Sequence, residues 1–285
     1  MEMNKDYDGG RLSTSKGNQA KTKVGDYWYK IDFLGYEGLS EYLTSELLAH
    51  TNIKDYAQYD MVEVPVSRRT FLGCRSKDFL NADEEIMTAS RIFKTYTGLT
   101  VEEFLQPQSG LSNQISSFVN KVQEITGIKN YGQELTRVLE LDGFILNDDR
   151  HFNNIAFIYN SAIKSFSSCT LFDNGAAFLS DTRYDYPLEK NVYGLIADVK
   201  AKPFSESFDK QISACEELYG VQLKVDKNIC ITTEMEEHIR DYYGDAIYER
   251  VSDIFEHQKA LCDYLCDMSV EQMSCSEKSH IFDND

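Results

Sequence analysis

Only four prolines, at positions 65, 107, 187 and 203, punctuate the 285 residues. No internal repeat or low-complexity linker divides them, so one continuous domain is the simplest expectation. Positive charge is scarce as well: 29 Lys and Arg face 47 Asp and Glu, a formal charge of −18. A surface of that sign repels a polyanionic duplex and an anionic bilayer, which excludes nucleic acid and membrane as default partners. No segment approaches the ~18 consecutive apolar residues that a membrane span requires, and the chain is polar from Met1 onward. The cysteines are odd in number and scattered (74, 169, 215, 230, 262, 266 and 275). Their one close pair, Cys262 and Cys266, has helical spacing and no second pair or adjacent histidine, so neither a zinc site nor a disulfide framework is expected. Reduced thiols and a cytoplasmic location follow as expectations.

What is present is enough apolar material, 42% of residues, for a substantial core. Residues 26–33 alternate, with Tyr27, Tyr29, Ile31 and Phe33 on one face and Trp28, Lys30 and Asp32 on the other, which predicts a strand carrying a lysine. The run 39–50 predicts a helix with Ser40 as N-cap, and 61–66 and 70–74 predict further strands. From there helical periodicity dominates, at 83–93, 111–125, 131–146, 204–219 and 233–266. Two short apolar runs, 154–159 and 169–172, predict a hairpin within this helical part. The fold class is therefore α+β, with a small mainly β lobe over residues 1–80 and a larger helical lobe over 81–285. The aromatic excess, 18 Tyr and 16 Phe, reads as packing material and not as a cofactor site.

Polar residues cluster around the hairpin. Asp149 and Asn154 are five apart where a helix gives way to a strand, a spacing that places a carboxylate near an acceptor hydroxyl and an amide oxygen on a magnesium ion. Asp173 leaves the apolar run 169–172 and is followed at once by the turn formers Asn174 and Gly175, so it is placed to meet the same metal from the far side. Taken singly, either segment is also ordinary loop chemistry, since Asp, Asn and Gly are common turn residues. Their combination in this order is what points to phosphoryl transfer, where catalysis consists mainly of positioning and charge neutralisation.

The order Asp149, Arg150, His151, then Asn154, followed by Asp173, Asn174 and Gly175, resembles the catalytic and metal-binding loops of HipA-like and phosphoinositide kinases. It departs from the His-Arg-Asp and Asp-Phe-Gly order of ordinary protein kinases. Residues 12–21 resemble the HipA-like phosphate loop, a Ser-x-x-Gly-x-Gln-x-Lys pattern in which Thr14, Gly17, Gln19 and Lys21 occupy the matching places, Thr standing for Ser. Lys30 then matches the nucleotide lysine, and Glu41 is its expected partner, with Glu46 as competitor. The stretch 70–79 falls where the lobes are hinged and adenine lies, and 200–204 is also similar to HipA-like chains.

The resemblance covers about residues 10–245 and implies a two-lobed, protein-kinase-like fold using ATP and Mg²⁺. It assigns Asp149, His151, Asn154 and Asp173 to the catalytic loops, His151 as loop support, with Asn154 and Asp173 as metal ligands and Arg150 as a stabiliser of the loop or of phosphate charge. It implies a protein substrate with an acceptor Ser or Thr, and self-phosphorylation at Thr14 in the phosphate loop. The extra N-terminal subdomain of longer HipA toxins has no counterpart, which is similar to the short CtkA-type branch; an antitoxin partner and export as an effector are both left open. The alternatives are a nucleotide-binding pseudokinase acting as an interaction module, and a lipid or small-molecule kinase.

Overall fold

The computed structural model describes residues 21–266, so the expectations placed on Thr14, Gly17 and Gln19 lie outside the described residues. Strands β1 (Lys21–Val24) and β2 (Tyr27–Ile31) are followed by helix α1 (Glu37–Leu48), then β3 (Tyr59–Val66) and β4 (Arg69–Lys77). The four strands form an antiparallel sheet in the order β1-β2-β4-β3. Register places Lys30 opposite Lys21 on one side and Cys74 on the other. The alternation of a strand sends the Lys30 side chain to the buried face, beneath α1.

Two glycines allow close approach here, Gly73 between β4 and β2 and Gly38 between α1 and β4. A Cβ at Gly73 would lie 2.0 Å from the Lys30 carbonyl oxygen, and one at Gly38 would lie 2.6 Å from the Gly73 carbonyl carbon. Helix α1 also begins earlier than the Ser40 cap predicts. Asp32 Oδ1 accepts from the Gly38 N–H at 2.6 Å, and the Glu37 carboxylate accepts from the N–H groups of Leu34 (2.7 Å) and Gly35 (2.9 Å), so side-chain oxygens around the first turn come from Asp32 and Glu37. Ser40 is inside the helix, fully buried, and donates to the Ala177 carbonyl at 2.9 Å.

The run 83–93 is not one helix but β5 (Glu84–Thr88) followed by α2 (Ala89–Thr97). Ile86 and Met87 pair with Ile158 and Phe157, and Thr88 caps α2 through the Arg91 N–H. Strand pairing thus overrides a helix-like apolar spacing. After α3 (Val101–Leu105), α4 (Leu111–Thr126) and α5 (Tyr131–Ile145), strands β6 (Ala156–Asn160) and β7 (Ser165–Ser168) complete a second antiparallel sheet, ordered β5-β6-β7. The hairpin is where it was expected, but its second strand precedes 169–172, whose Leu171 instead exchanges backbone hydrogen bonds with Asp55 and Ala57. Helices α6 (Val192–Asp198) and α7 (Phe208–Tyr219) follow, and the run 233–266 is broken at Gly244, φ +81°, into α8 (Thr233–Tyr243) and α9 (Asp245–Leu261). That backbone conformation suits glycine and stops helix propagation.

Helix α5 is shared by two apolar cores. Leu141, Phe144 and Ile145 pack with Leu39, Leu43 and Leu47 of α1 and with Val251, Ile254 and Phe255 of α9. Leu135 and Leu139 pack with Phe93, Phe118 and Val122, and Phe152 from the segment after α5 joins this second core. Each such side chain contributes roughly 1.5–3 kcal/mol on burial. Among the described residues no helix is long and apolar enough to cross a membrane, and the cysteines are free thiols.

The close seat of α1 on β4 can be tested directly. Gly38→Ala is expected to destabilise the fold by about 1–3 kcal/mol, because its Cβ meets the Gly73 backbone of β4, which cannot move aside. Urea denaturation showing an unchanged midpoint would remove the glycine contact from the account of how α1 is positioned.

Candidate active site

Lys30 is the meeting point of the sheet and the helical part. Its Nζ donates to Glu41 Oε1 in α1 and to Asp173 Oδ1 at 2.6 Å, while the other Glu41 oxygen accepts from the Asn174 N–H at 2.8 Å. Glu41 therefore holds both the lysine and the backbone next to Asp173; Glu46 is exposed and takes no part. Burial alone would lower the Lys30 pKa, but the charges of Asp173 and Glu41 reverse this and hold it well above its ordinary value. Burial likewise pushes Asp173 up, yet the charge and hydrogen bond of Lys30, with Lys21 and Arg150, bring it below the usual carboxylate range. In Glu41 burial is the largest influence and raises the pKa against the pull of Lys30. Asp173 has φ +65°, a strained conformation for a residue with a side chain.

The catalytic segment starts where α5 ends. Leu146 takes a left-handed conformation, φ +54°, and the Asn147 N–H returns to the Asp142 carbonyl at 2.8 Å. Arg150 then turns inward, 1% exposed, with Nε and Nη2 on the Asp142 carboxylate at 2.9 Å each. The same guanidinium donates to Asn174 Oδ1 at 2.8 Å and to the Asn154 carbonyl at 3.1 Å. Of the two roles open to Arg150, the geometry supports loop stabilisation: it joins α5, the Asp149 segment and the Asp173 turn into one unit.

Asp149 is 5% exposed at its side chain, with Lys202 Nζ 2.7 Å from Oδ1 and His151 Nε2 3.7 Å from Oδ2. Asn154 Nδ2 donates to the Asp149 carbonyl at 2.8 Å, which fixes the amide and leaves its oxygen as the ligand atom. His151 Nδ1 is buried without a hydrogen-bond partner among the described residues. Asp149, Asn154 and Asp173 line one cleft of about 490 Å³, together with Glu37, Asp148 and Asp181. An amide oxygen and an ionised carboxylate across a cleft are hard donors that fit Mg²⁺, which is usually held by one or two protein ligands plus substrate phosphates. Among the described residues no group of three or more His, Cys, Asp or Glu is placed to hold a metal by itself.

The structure thus brings together Lys30, Glu41, Asp149, His151, Asn154 and Asp173, and sets Lys21 on the strand beside Lys30. In the expected adenine region, Cys74 of β4 forms a small cluster with Ala57 and Tyr59, against which Phe79 and Phe172 pack. Three participants had been given no role: Asp142, Glu37 and Lys202. Asp142 and Glu37 act through backbone and guanidinium contacts that no spacing reveals, and Lys202 is 53 residues from its partner.

No protein-family model matches the sequence, and no curated protein matches it. Several solved structures are similar to it, among them the following two. The Helicobacter pylori proinflammatory kinase CtkA matches with a TM-score of 0.59 and 14% identity, over 89% of this chain and 91% of its own. The HipA–HipB toxin–antitoxin complex with operator DNA from Shewanella oneidensis MR-1 matches with a TM-score of 0.38 and 11% identity, over 92% of this chain and 68% of that one. The first likeness shows the fold: this chain shares the α+β architecture of the CtkA structure, a small antiparallel sheet lobe joined to a helical one.

A half-buried acid at the start of α1 gives a pH signature. Burial and then the nearby Glu37 push the Asp32 carboxyl up to about 7, against hydrogen bonds from Tyr243 and Gly38. The native state then retains a proton that the unfolded chain releases above pH ~4, so stability falls as pH rises from about 4 to 7 and levels off beyond. Asp32→Asn is expected to flatten this dependence by about 2–4 kcal/mol across the window. Thermal melts of the two proteins at pH 4.5, 6 and 8 measure the difference; parallel curves would show that Asp32 does not titrate there.

Proposed function

We propose that this chain is an ATP- and Mg²⁺-dependent kinase that phosphorylates a Ser or Thr hydroxyl of a protein. The observation that carries the reading is the joined pair of loops: Asp149 and Asn154 on one, Asp173 on the other, locked by Arg150 and faced by the Lys30–Glu41 pair. The fold shared with a solved kinase structure supports it.

In this reading Lys30 neutralises nucleotide phosphate charge, helped by Lys21 and by Thr14, Gly17 and Gln19 of the phosphate loop. Asn154 and Asp173 would hold Mg²⁺, which when bound supplies charge neutralisation at the phosphates. Asp149 orients the acceptor hydroxyl and takes its proton. The hydroxyl oxygen bonds to the γ-phosphorus, the bond from that phosphorus to the β–γ bridging oxygen breaks, and ADP leaves with the electron pair. The Lys202 contact and the backbone bonds around Asp149 support this role, and His151 would support the loop. The strongly acidic chain makes an anionic membrane lipid a poor acceptor.

The test is incubation of the purified chain with γ-labelled ATP and Mg²⁺, followed by mapping of label. Transfer to hydroxyls is expected, with Thr14 as the self-modified position; label on no protein hydroxyl would overturn the protein-kinase reading. Asp149→Asn is expected to lower transfer by at least roughly 10³-fold while ATP affinity stays within about threefold, because this carboxylate meets the acceptor and not the nucleotide. Asp173→Ala differs in kind: calorimetry should show Mg²⁺·ATP affinity falling by at least about tenfold as a metal ligand is lost.

A further inference from the structure

Lys202 belongs to the connection between α6 and α7, yet this connection is held as firmly as a helix. Its carbonyl accepts from Gln211 Nε2 at 3.0 Å, and Gln211 Oε1 accepts from the Phe204 N–H at 3.0 Å. Gln211 is fully buried in α7. Phe204 packs edge-on against Phe118 at 5.3 Å and Phe152 at 5.4 Å between ring centroids. Phe152 belongs to the Asp149 segment, so one aromatic group fixes both the lysine-bearing stretch and the carboxylate it meets.

The pair itself is asymmetric. Lys202 keeps 42% of its side chain exposed, whereas Asp149 keeps 5%. Asp149 does not need the lysine for its position, because its N–H is held by Asn147 Oδ1 and its carbonyl by the Asn154 amide and the His151 N–H. An ammonium on one oxygen of this carboxylate leaves the other for an acceptor hydroxyl. A hydroxyl that donates there comes beside the ammonium, and so does the phosphoryl group it attacks. Lys30 cannot supply charge at that point, being held between Glu41 and Asp173 on the far side of the turn.

We propose that Lys202 is a catalytic residue of this site, its ammonium contacting the phosphoryl group in transit; this rests on the kinase reading above. Lys202 neither gains nor loses a proton in the step. The hydroxyl proton passes to Asp149, and the ammonium, positioned beforehand by its contact with Asp149, stabilises charge that gathers on the phosphoryl oxygens.

The experiment compares the full chain with Lys202→Met, Lys202→Gln and Lys202→Arg, each first checked for a Tm near that of the unsubstituted protein. Titration calorimetry with Mg²⁺ and ADP, with and without aluminium fluoride, measures recognition of a transferring phosphoryl independently of any acceptor. The unsubstituted chain should bind ADP more tightly with fluoride present. Lys202→Met and Lys202→Gln should lose at least about tenfold of that gain with ADP affinity alone within threefold, and Lys202→Arg should keep most of it. In labelled-ATP turnover the two neutral variants should lower kcat on the order of 10²–10³-fold with little change in KM for ATP. An unchanged fluoride gain, a rise in kcat, or ADP affinity falling in parallel would each overturn the assignment to Lys202 while the kinase reading stands. An unsubstituted chain that binds neither ATP nor ADP would overturn the kinase reading and this assignment with it.

Discussion

A guanidinium taken almost wholly out of water is the constraint on which the candidate site depends. Stripping Arg150 of its hydration is expensive, and only a full set of partners offsets the cost. Burial by itself lowers its pKa, but the Asp142 charge and hydrogen bonds more than reverse this, so the group stays charged. Its planar fork reaches two oxygens of Asp142, the Asn174 side chain and the Asn154 carbonyl at the same time. A lysine ammonium, a single point of charge, has no comparable reach. Fixing those partners fixes the end of α5, the Asp149 segment and the turn after Asp173 relative to one another, before any ligand arrives.

The Lys30 contacts depend on that unit. Glu41 can reach both Lys30 and the Asn174 N–H only because Arg150 holds Asn174 in place and because Gly38 lets α1 approach the sheet. One ammonium between two carboxylates leaves an excess of negative charge, and Glu37, Asp148 and Asp181 add to it along the same cleft, while Asp149 is paired with Lys202. In a chain of net charge −18 such a cleft attracts cations and repels bare anions. A nucleotide enters more readily with its phosphates neutralised by metal than without, which is the electrostatic counterpart of the Mg²⁺ requirement proposed here.

Local periodicity made much of the fold legible. Helices α4 and α5 fall within a residue of the runs that predict them, since their apolar residues recur at helical spacing, α4 facing one core and α5 two. The run 83–93 misled because Ile86 and Met87 mimic a helical stripe while their burial comes from pairing with β6, a contact some 70 residues away. Ser40 misled for a related reason: a capping hydroxyl and a buried tertiary donor are the same residue type, and only the position of Ala177 tells them apart. Asp149, Asn154 and Asp173 do line one cleft, and it was their spacing in the sequence that suggested them. Arg150 was visible, but its role was not, since Asp142 and Asn174 meet it only in the folded chain.

The likeness to a kinase at 14% identity follows from this division of labour. Two apolar cores meeting on α5 require only side chains of suitable size on suitable faces, and many sequences satisfy that. The polar unit at the C-terminal end of α5 is less forgiving, because a missing partner leaves a buried charge unpaired. Leu146 and Asp173 both sit at positive φ around that unit, conformations that cost energy and persist only where surrounding contacts impose them. Phe178 and Leu179 do the same beyond Gly175, tied by the Phe178 N–H to the Ile145 carbonyl, by Tyr36 Oη to the Phe178 carbonyl and by Ser40 to Ala177. Strain in the backbone and burial of charge therefore gather at one end of one helix. They are borne by α1 on one side and by the Phe118 core on the other, and the groups offered for chemistry stand between those two supports.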